Sequence, residues 1–116
     1  MGYYTSYSLS ICGNVGDIEK FNNDLLEISK DSNGEYDSEV KQLVEFGSVY
    51  AKLYDLEGWI REVAKKNPRV LVILSGNGEE SFDVWQERYK GKLYERQEMI
   101  FPPFETPELQ ISTNND

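Results

Sequence analysis

Glu79, Glu80 and Asp83 are the residues best placed by type and spacing to do chemistry. Clustered carboxylates can hold Mg2+ or Ca2+, or work as a general acid and base. Their spacing is not that of an EF-hand loop, and no partner cluster stands elsewhere in the chain. A solvated turn is the better reading. Gly76-Asn77-Gly78 precedes them and follows an apolar run, as a phosphate-cradling loop would. No helix is expected to open after it, no Lys or Ser/Thr completes the motif, and the two glutamates would repel phosphate. A tight turn fits better.

Histidine is absent from the 116 residues. That removes the commonest general base and metal ligand, and every Ser-His or Cys-His nucleophile pair. Cys12 is the one cysteine, so no intrachain disulfide can form and a reducing cytoplasm is the expected compartment. Its place in an alternating segment predicts a small buried or half-buried hydrophobe. No basic run followed by an apolar core opens the chain, so no secretory leader is expected. No apolar run reaches membrane-spanning length. Neither a metal nor a cofactor is expected.

Charge carries more information. Twelve basic residues against 21 acidic ones leave a net charge of −9. This argues against a nucleic-acid backbone or an anionic membrane as direct partner, and suits either a basic protein or plain solubility. The acids concentrate in Asp17, Glu19, Asp24, Glu27, Asp31, Glu35, Asp37 and Glu39, with Glu45 beyond them, opposed only by Lys20, Lys30 and Lys41. A row of carboxylates on a helix could imitate a nucleic-acid backbone in the basic cleft of a nuclease. The eight from Asp17 to Glu39 are the candidate partner-binding set, and the competing reading is an ordinary solvated face. The tyrosines could stack nucleic-acid bases on a sheet, but the acidic balance and the missing basic patch oppose it. Tyr4, Tyr50 and Tyr54 suit a protein-binding surface better, and packing against helices is the plainest account. Trp59 and Trp85 read as core or rim. Glu87, Glu95 and Glu98 set against Arg88 and Arg96 predict cross-strand ion pairs on an exposed face.

The elements that would position these residues follow from periodicity. Tyr3 to Cys12 alternates, with Tyr3, Thr5, Tyr7, Leu9 and Ile11 on one face and Tyr4, Ser6, Ser8 and Ser10 on the other. That is a half-buried strand. Asp17 to Lys30 places Ile18, Phe21, Leu25 and Ile28 on one helical stripe, with Asn14 or Asp17 as its cap. Asp31 to Glu35 is a turn cluster, and Tyr36 to Gln42 reads as a loop with at most one helical turn. Leu43 to Tyr54 predicts a strand with a bulge at Gly47. Leu56 to Lys66, capped by Asp55, predicts a second helix ended by Asn67-Pro68. Val70 to Leu74 is a short apolar run, expected as a central strand buried on both faces. Phe82 to Tyr89 and Leu93 to Phe101 predict two more strands joined by the Lys90-Gly91-Lys92 hairpin. Pro102-Pro103 closes the sheet.

The expected fold is α+β: a mostly antiparallel sheet of about five strands with two helices on one face, ferredoxin-like with an extra C-terminal hairpin. Residues 1–104 form one domain and 105–116 a polar tail. An exposed edge strand leaves monomer and homodimer both open.

The motifs Tyr54-Asp55, Trp59, Lys66-Asn-Pro68, Val70-Leu-Val-Ile-Leu74, Gly76-Asn-Gly-Glu-Glu80, Trp85, Tyr89-Lys-Gly-Lys92 and Pro102-Pro-Phe104 occur in that order. This segment, a little under half of the chain, resembles the ferredoxin-like C-terminal region of small uncharacterised proteins carried by phages and conjugative elements. The resemblance transfers no functional residue. It implies a setting, a small cytoplasmic accessory protein in a bacterial host cell, where acidic non-enzymatic proteins often inhibit host defence. The expectation is therefore an anti-CRISPR-type inhibitor acting on a CRISPR effector or another nuclease, with a carboxylate-based metal enzyme or an RNA-binding module as alternatives.

Overall fold

A computed structural model describes residues 3–30, 36–80 and 82–99. Eight elements follow in order: β1 (Thr5–Cys12), α1 (Val15–Ser29), α2 (Asp37–Phe46), β2 (Ser48–Ala51), α3 (Leu56–Lys66), β3 (Leu71–Gly78), β4 (Val84–Lys90) and β5 (Leu93–Glu98). The strands form one sheet in the order β2-β1-β3-β4-β5, with every neighbouring pair antiparallel. The α+β class and the five-stranded antiparallel sheet are as expected. A ferredoxin-like topology is not confirmed: β2 and β3 run the same way on either side of β1 with α3 between them, which is one split β-α-β unit, but α1 and α2 join β1 to its antiparallel neighbour β2 and no second such unit is found among the described strands.

β3 does lie at the centre of the sheet. It is not buried on both faces: Val72 and Leu74 are fully buried, whereas Leu71 and Ile73 stay partly exposed. The buried face takes Thr5 and Tyr7 from β1, Val49 and Ala51 from β2, and Trp85, Glu87 and Tyr89 from β4. The helices pack here, and Phe21, Leu25, Val40, Leu43, Leu56, Ile60 and Val63 complete one continuous core. The opposite face is open, as antiparallel sheets permit.

The described residues form three helices rather than two. α2 occupies the stretch expected as a loop, burying Val40 and Leu43 with Val44 beside them, the spacing of a helical stripe. The strand expected from Leu43 shortens to Ser48–Ala51. Gly47 is therefore not a bulge. Its φ of 79° and its N–H on the Leu43 carbonyl at 2.8 Å make it the left-handed end of α2. At the start of α1 the Asn14 side chain accepts from the Asp17 N–H at 2.9 Å, whereas Asp55 precedes α3 without a side-chain capping bond. Cys12 is exposed, since it lies on the open face of β1.

Gly76 and Gly78 belong to β3, not to a tight turn. A Cβ on Gly76 would run into the Trp85 indole, and one on Gly78 would meet the Tyr3 ring and the Asp83 carboxylate. These glycines open space for large neighbours. β4 and β5 are joined across Gly91, with a φ of 59°, and Lys92, which is the expected hairpin. The Asp31 to Glu35 turn, the end of the strand expected to Phe101, Pro102-Pro103 and the tail lie outside the described residues.

Gly76→Ala should lower stability by about 1–3 kcal/mol, because the added methyl displaces a packed indole. The midpoint of urea unfolding measures this, and an unchanged midpoint would show that Trp85 moves aside freely.

Candidate functional site

Charge is distributed by layer. α1 carries four acids against Lys20, α2 three against Lys41, and α3 two against Arg61, Lys65 and Lys66. The five strands hold Glu87, Glu95 and Glu98 against Arg88, Lys90 and Arg96, and are together neutral. The excess negative charge of the regular elements thus sits on α1 and α2.

The acids of α1 do not form one row. At about 100° per residue, Asp17 and Asp24 share a flank, Glu27 lies about 60° from Asp24, and Glu19 projects from the far side. Asp17 and Asp24 are also occupied inside the molecule. Arg69 lies 3.2 Å from Asp17, and Asp24 accepts from Lys20 at 2.9 Å and from the Asn67 side chain at 3.0 Å. Asn67 is buried and also donates to the Val63 carbonyl at 2.9 Å, so this clasp fixes α1 to the end of α3. The Asn67 bond outweighs partial burial and, with Lys20, holds the Asp24 carboxyl below its ordinary value. Asp37 and Glu39 are half-buried in the first turn of α2, where the helix dipole favours them. Asp31 and Glu35 lie outside the described residues. The carboxylates left on the solvent side of α1 and α2 are Glu19, Glu27 and Glu45. Glu27 has only a loose contact with Lys30 at 3.8 Å.

The Glu79, Glu80 and Asp83 group serves the fold. Glu79 accepts from the Tyr4 N–H at 2.7 Å, Asp83 accepts from the Tyr3 hydroxyl, and that hydroxyl accepts from the Glu80 N–H at 3.0 Å. These bonds tie the start of β1 to the β3–β4 connection. Phe82 within it holds a left-handed φ of 67° and is largely exposed. Among the described residues no three His, Cys, Asp or Glu side chains are placed to hold a metal ion.

The expected exposed ion pairs divide between the two faces. Arg88 and Glu95 pair on the open face. Glu87 is instead 2% exposed on the helix-facing side. Its carboxylate accepts from the Tyr89 hydroxyl, from the Tyr94 hydroxyl at 3.0 Å and from Arg96 at 2.5 Å. Arg96 also lies over the Trp85 ring at 4.8 Å, and Arg61 of α3 over the Tyr94 ring at 4.1 Å. The sequence reading missed this cluster, although the signal was there. Trp85, Glu87 and Tyr89 alternate, so a face that buries the two aromatics must also bury the glutamate. The half-buried Glu57 lies close by, and burial together with the Glu87 charge pushes its carboxyl up.

Two predictions follow from the cluster. Arg96→Met strands a buried carboxylate and should cost about 2 kcal/mol, less than the roughly 3–5 of a fully buried pair because Arg96 is partly exposed. Glu87→Gln added to it should recover part of the loss in urea unfolding, whereas a worse double variant would contradict the pairing. Glu57 holds its proton more tightly in the folded chain than its ordinary 4.5, so it favours the fold at low pH and loses that contribution as pH rises. Glu57→Gln should accordingly be more stable than the parent at neutral pH and no more stable once the parent's carboxyl is protonated; equal stability at both would refute the shift.

None of the helices among the described residues is long and apolar enough to cross a membrane. Comparison with family models, curated proteins and solved structures finds no match to this chain.

Proposed function

We propose that this protein is a non-enzymatic binding protein whose acidic α1–α2 surface engages a basic, nucleic-acid-handling protein. The observation that carries this reading is the segregation of charge, with an acidic excess on α1 and α2 against a neutral set of strands. A surface of that kind raises the encounter rate with a positive cleft and disfavours acidic partners. The resemblance to proteins of phages and conjugative elements supports a defence nuclease, such as a CRISPR effector or a restriction enzyme, as the class of target. Occupying its nucleic-acid cleft would block substrate entry without chemistry on the inhibitor's side.

The contacting carboxylates in this reading are Glu19, Glu27 and Glu45, because Asp17 and Asp24 already hold α1 in place. The test is capture of partners from a bacterial lysate carrying active CRISPR and restriction systems, using the tagged protein and a Glu19→Lys, Glu27→Lys, Glu45→Lys variant. A nuclease or its guide complex should be retained by the parent, released by salt, and held at least tenfold more weakly by the variant. Equal retention by both would overturn the proposal, as would recovery of no basic protein.

A further inference from the structure

The open face of the sheet has an electrostatic character opposite to that of the chain. The register places Ser6, Ser8 and Ser10 of β1, Tyr50 of β2, Ile73 and Ser75 of β3, and Gln86, Arg88 and Lys90 of β4 on it. Its charges are Lys52, Arg88 and Lys90 against Glu95, which is paired with Arg88, and Glu79, which accepts from the Tyr4 N–H at the end of the face. In a chain of net charge −9 this face is therefore net positive by one charge, because most of the acids lie on the helices, in the connections and on the other side of the sheet.

The same face carries an aromatic platform. Tyr4 and Tyr50 stack with ring centroids 5.0 Å apart, and the Lys52 ammonium lies 5.2 Å from the Tyr4 ring. Tyr50 is 60% exposed at the edge of the sheet, which leaves it open to a further planar group. Toward the opposite corner, Leu71, Arg88, Lys90, Leu93 and Glu95 line most of a hollow of about 400 Å3. Strand spacing and rise put that corner roughly 20 Å from the tyrosines, a span of about three extended nucleotides. Small serines between them keep the path flat.

We infer that the open sheet face binds a short single-stranded nucleic acid, with one base stacked on Tyr50 and the backbone running toward Arg88 and Lys90. Stacking on an exposed ring combined with a few cations is how sequence-tolerant single-strand recognition is built. The whole-chain charge spoke against nucleic acid only as an average in which the helix acids outweigh this one face. This proposal goes beyond the acidic-surface reading and does not depend on it, since it uses different residues on a different face.

The experiment is a fluorescence-anisotropy titration of a labelled oligouridylate, and of the matching oligothymidylate, with the isolated protein at low and physiological salt. Binding is expected, and Tyr50→Ala should weaken it roughly tenfold or more, the usual effect of losing one stacked base. Arg88→Gln with Lys90→Gln should weaken it and flatten a salt dependence that is already shallow for so few phosphate contacts. The helix variant at Glu19, Glu27 and Glu45 should bind at least as well as the parent, which separates this site from the acidic one. No anisotropy change at any salt would overturn the inference, as would binding indifferent to Tyr50→Ala in a variant whose circular dichroism matches the parent.

Discussion

The pairing of β1 with β3 is the interaction on which the other features depend. Eight consecutive partners, from Thr5 with Gly78 to Cys12 with Leu71, join the start of the chain to its central strand. A shift of one residue would send Tyr7 to solvent and Ser8 into the core, so the alternation in both strands holds the register. The Tyr3 and Tyr4 bonds to the β3–β4 connection lock its end, and Gly76 and Gly78 keep that end clear for Trp85, Tyr3 and Asp83. With β1 in place, β2 has an edge to add to and the helices have a face to cover.

That face explains the division of labour among the charged residues. Two carboxylates near the core are held by specific partners: Glu87 by Arg96 and two tyrosine hydroxyls, Asp24 by Asn67 and Lys20. They act as fasteners between elements. Glu19, Glu27 and Glu45 point away from the core, join no two elements, and set the field around the molecule. A surface acid and a buried acid look alike in composition, yet the first steers encounters and the second holds two elements together.

Local periodicity made much of the fold legible. The alternation of β1, the stripes of α1 and α3, the apolar run of β3 and the Gly91 hairpin each followed from a few neighbouring residues. α2 was lost because Val40, Leu43 and Val44 run directly into the strand-like Ser48-Val-Tyr-Ala51, and Gly47 between them suits a bulge as well as a helix end. The glycines of β3 misled for a related reason: glycine marks a turn or a close approach, and only the distant Trp85 decides which. The candidate site was harder still. The partners that take Asp17 and Asp24 out of the acidic surface, Arg69 and Asn67, lie far away in sequence, and no spacing within α1 reports them. Acidity alone was visible; which acids were already engaged was not.

The sheet order also bears on how the chain reaches its structure. β3, β4 and β5 are consecutive and joined by short connections, so they can assemble as a local meander soon after synthesis. β1 has no such neighbour. Of its partners, β2 follows only after α1 and α2 and β3 only after α3 as well, and closing loops of that length delays the contacts they bring together. Of the described strands β1 therefore waits longest for a partner, with Tyr7, Leu9 and Ile11 uncovered in the interval. Its serines, alternating with those residues, keep the waiting segment from being a continuous apolar ribbon that neighbouring chains could pair with. The hydroxyl-rich face of the finished sheet would then be, in part, a record of how the chain folds.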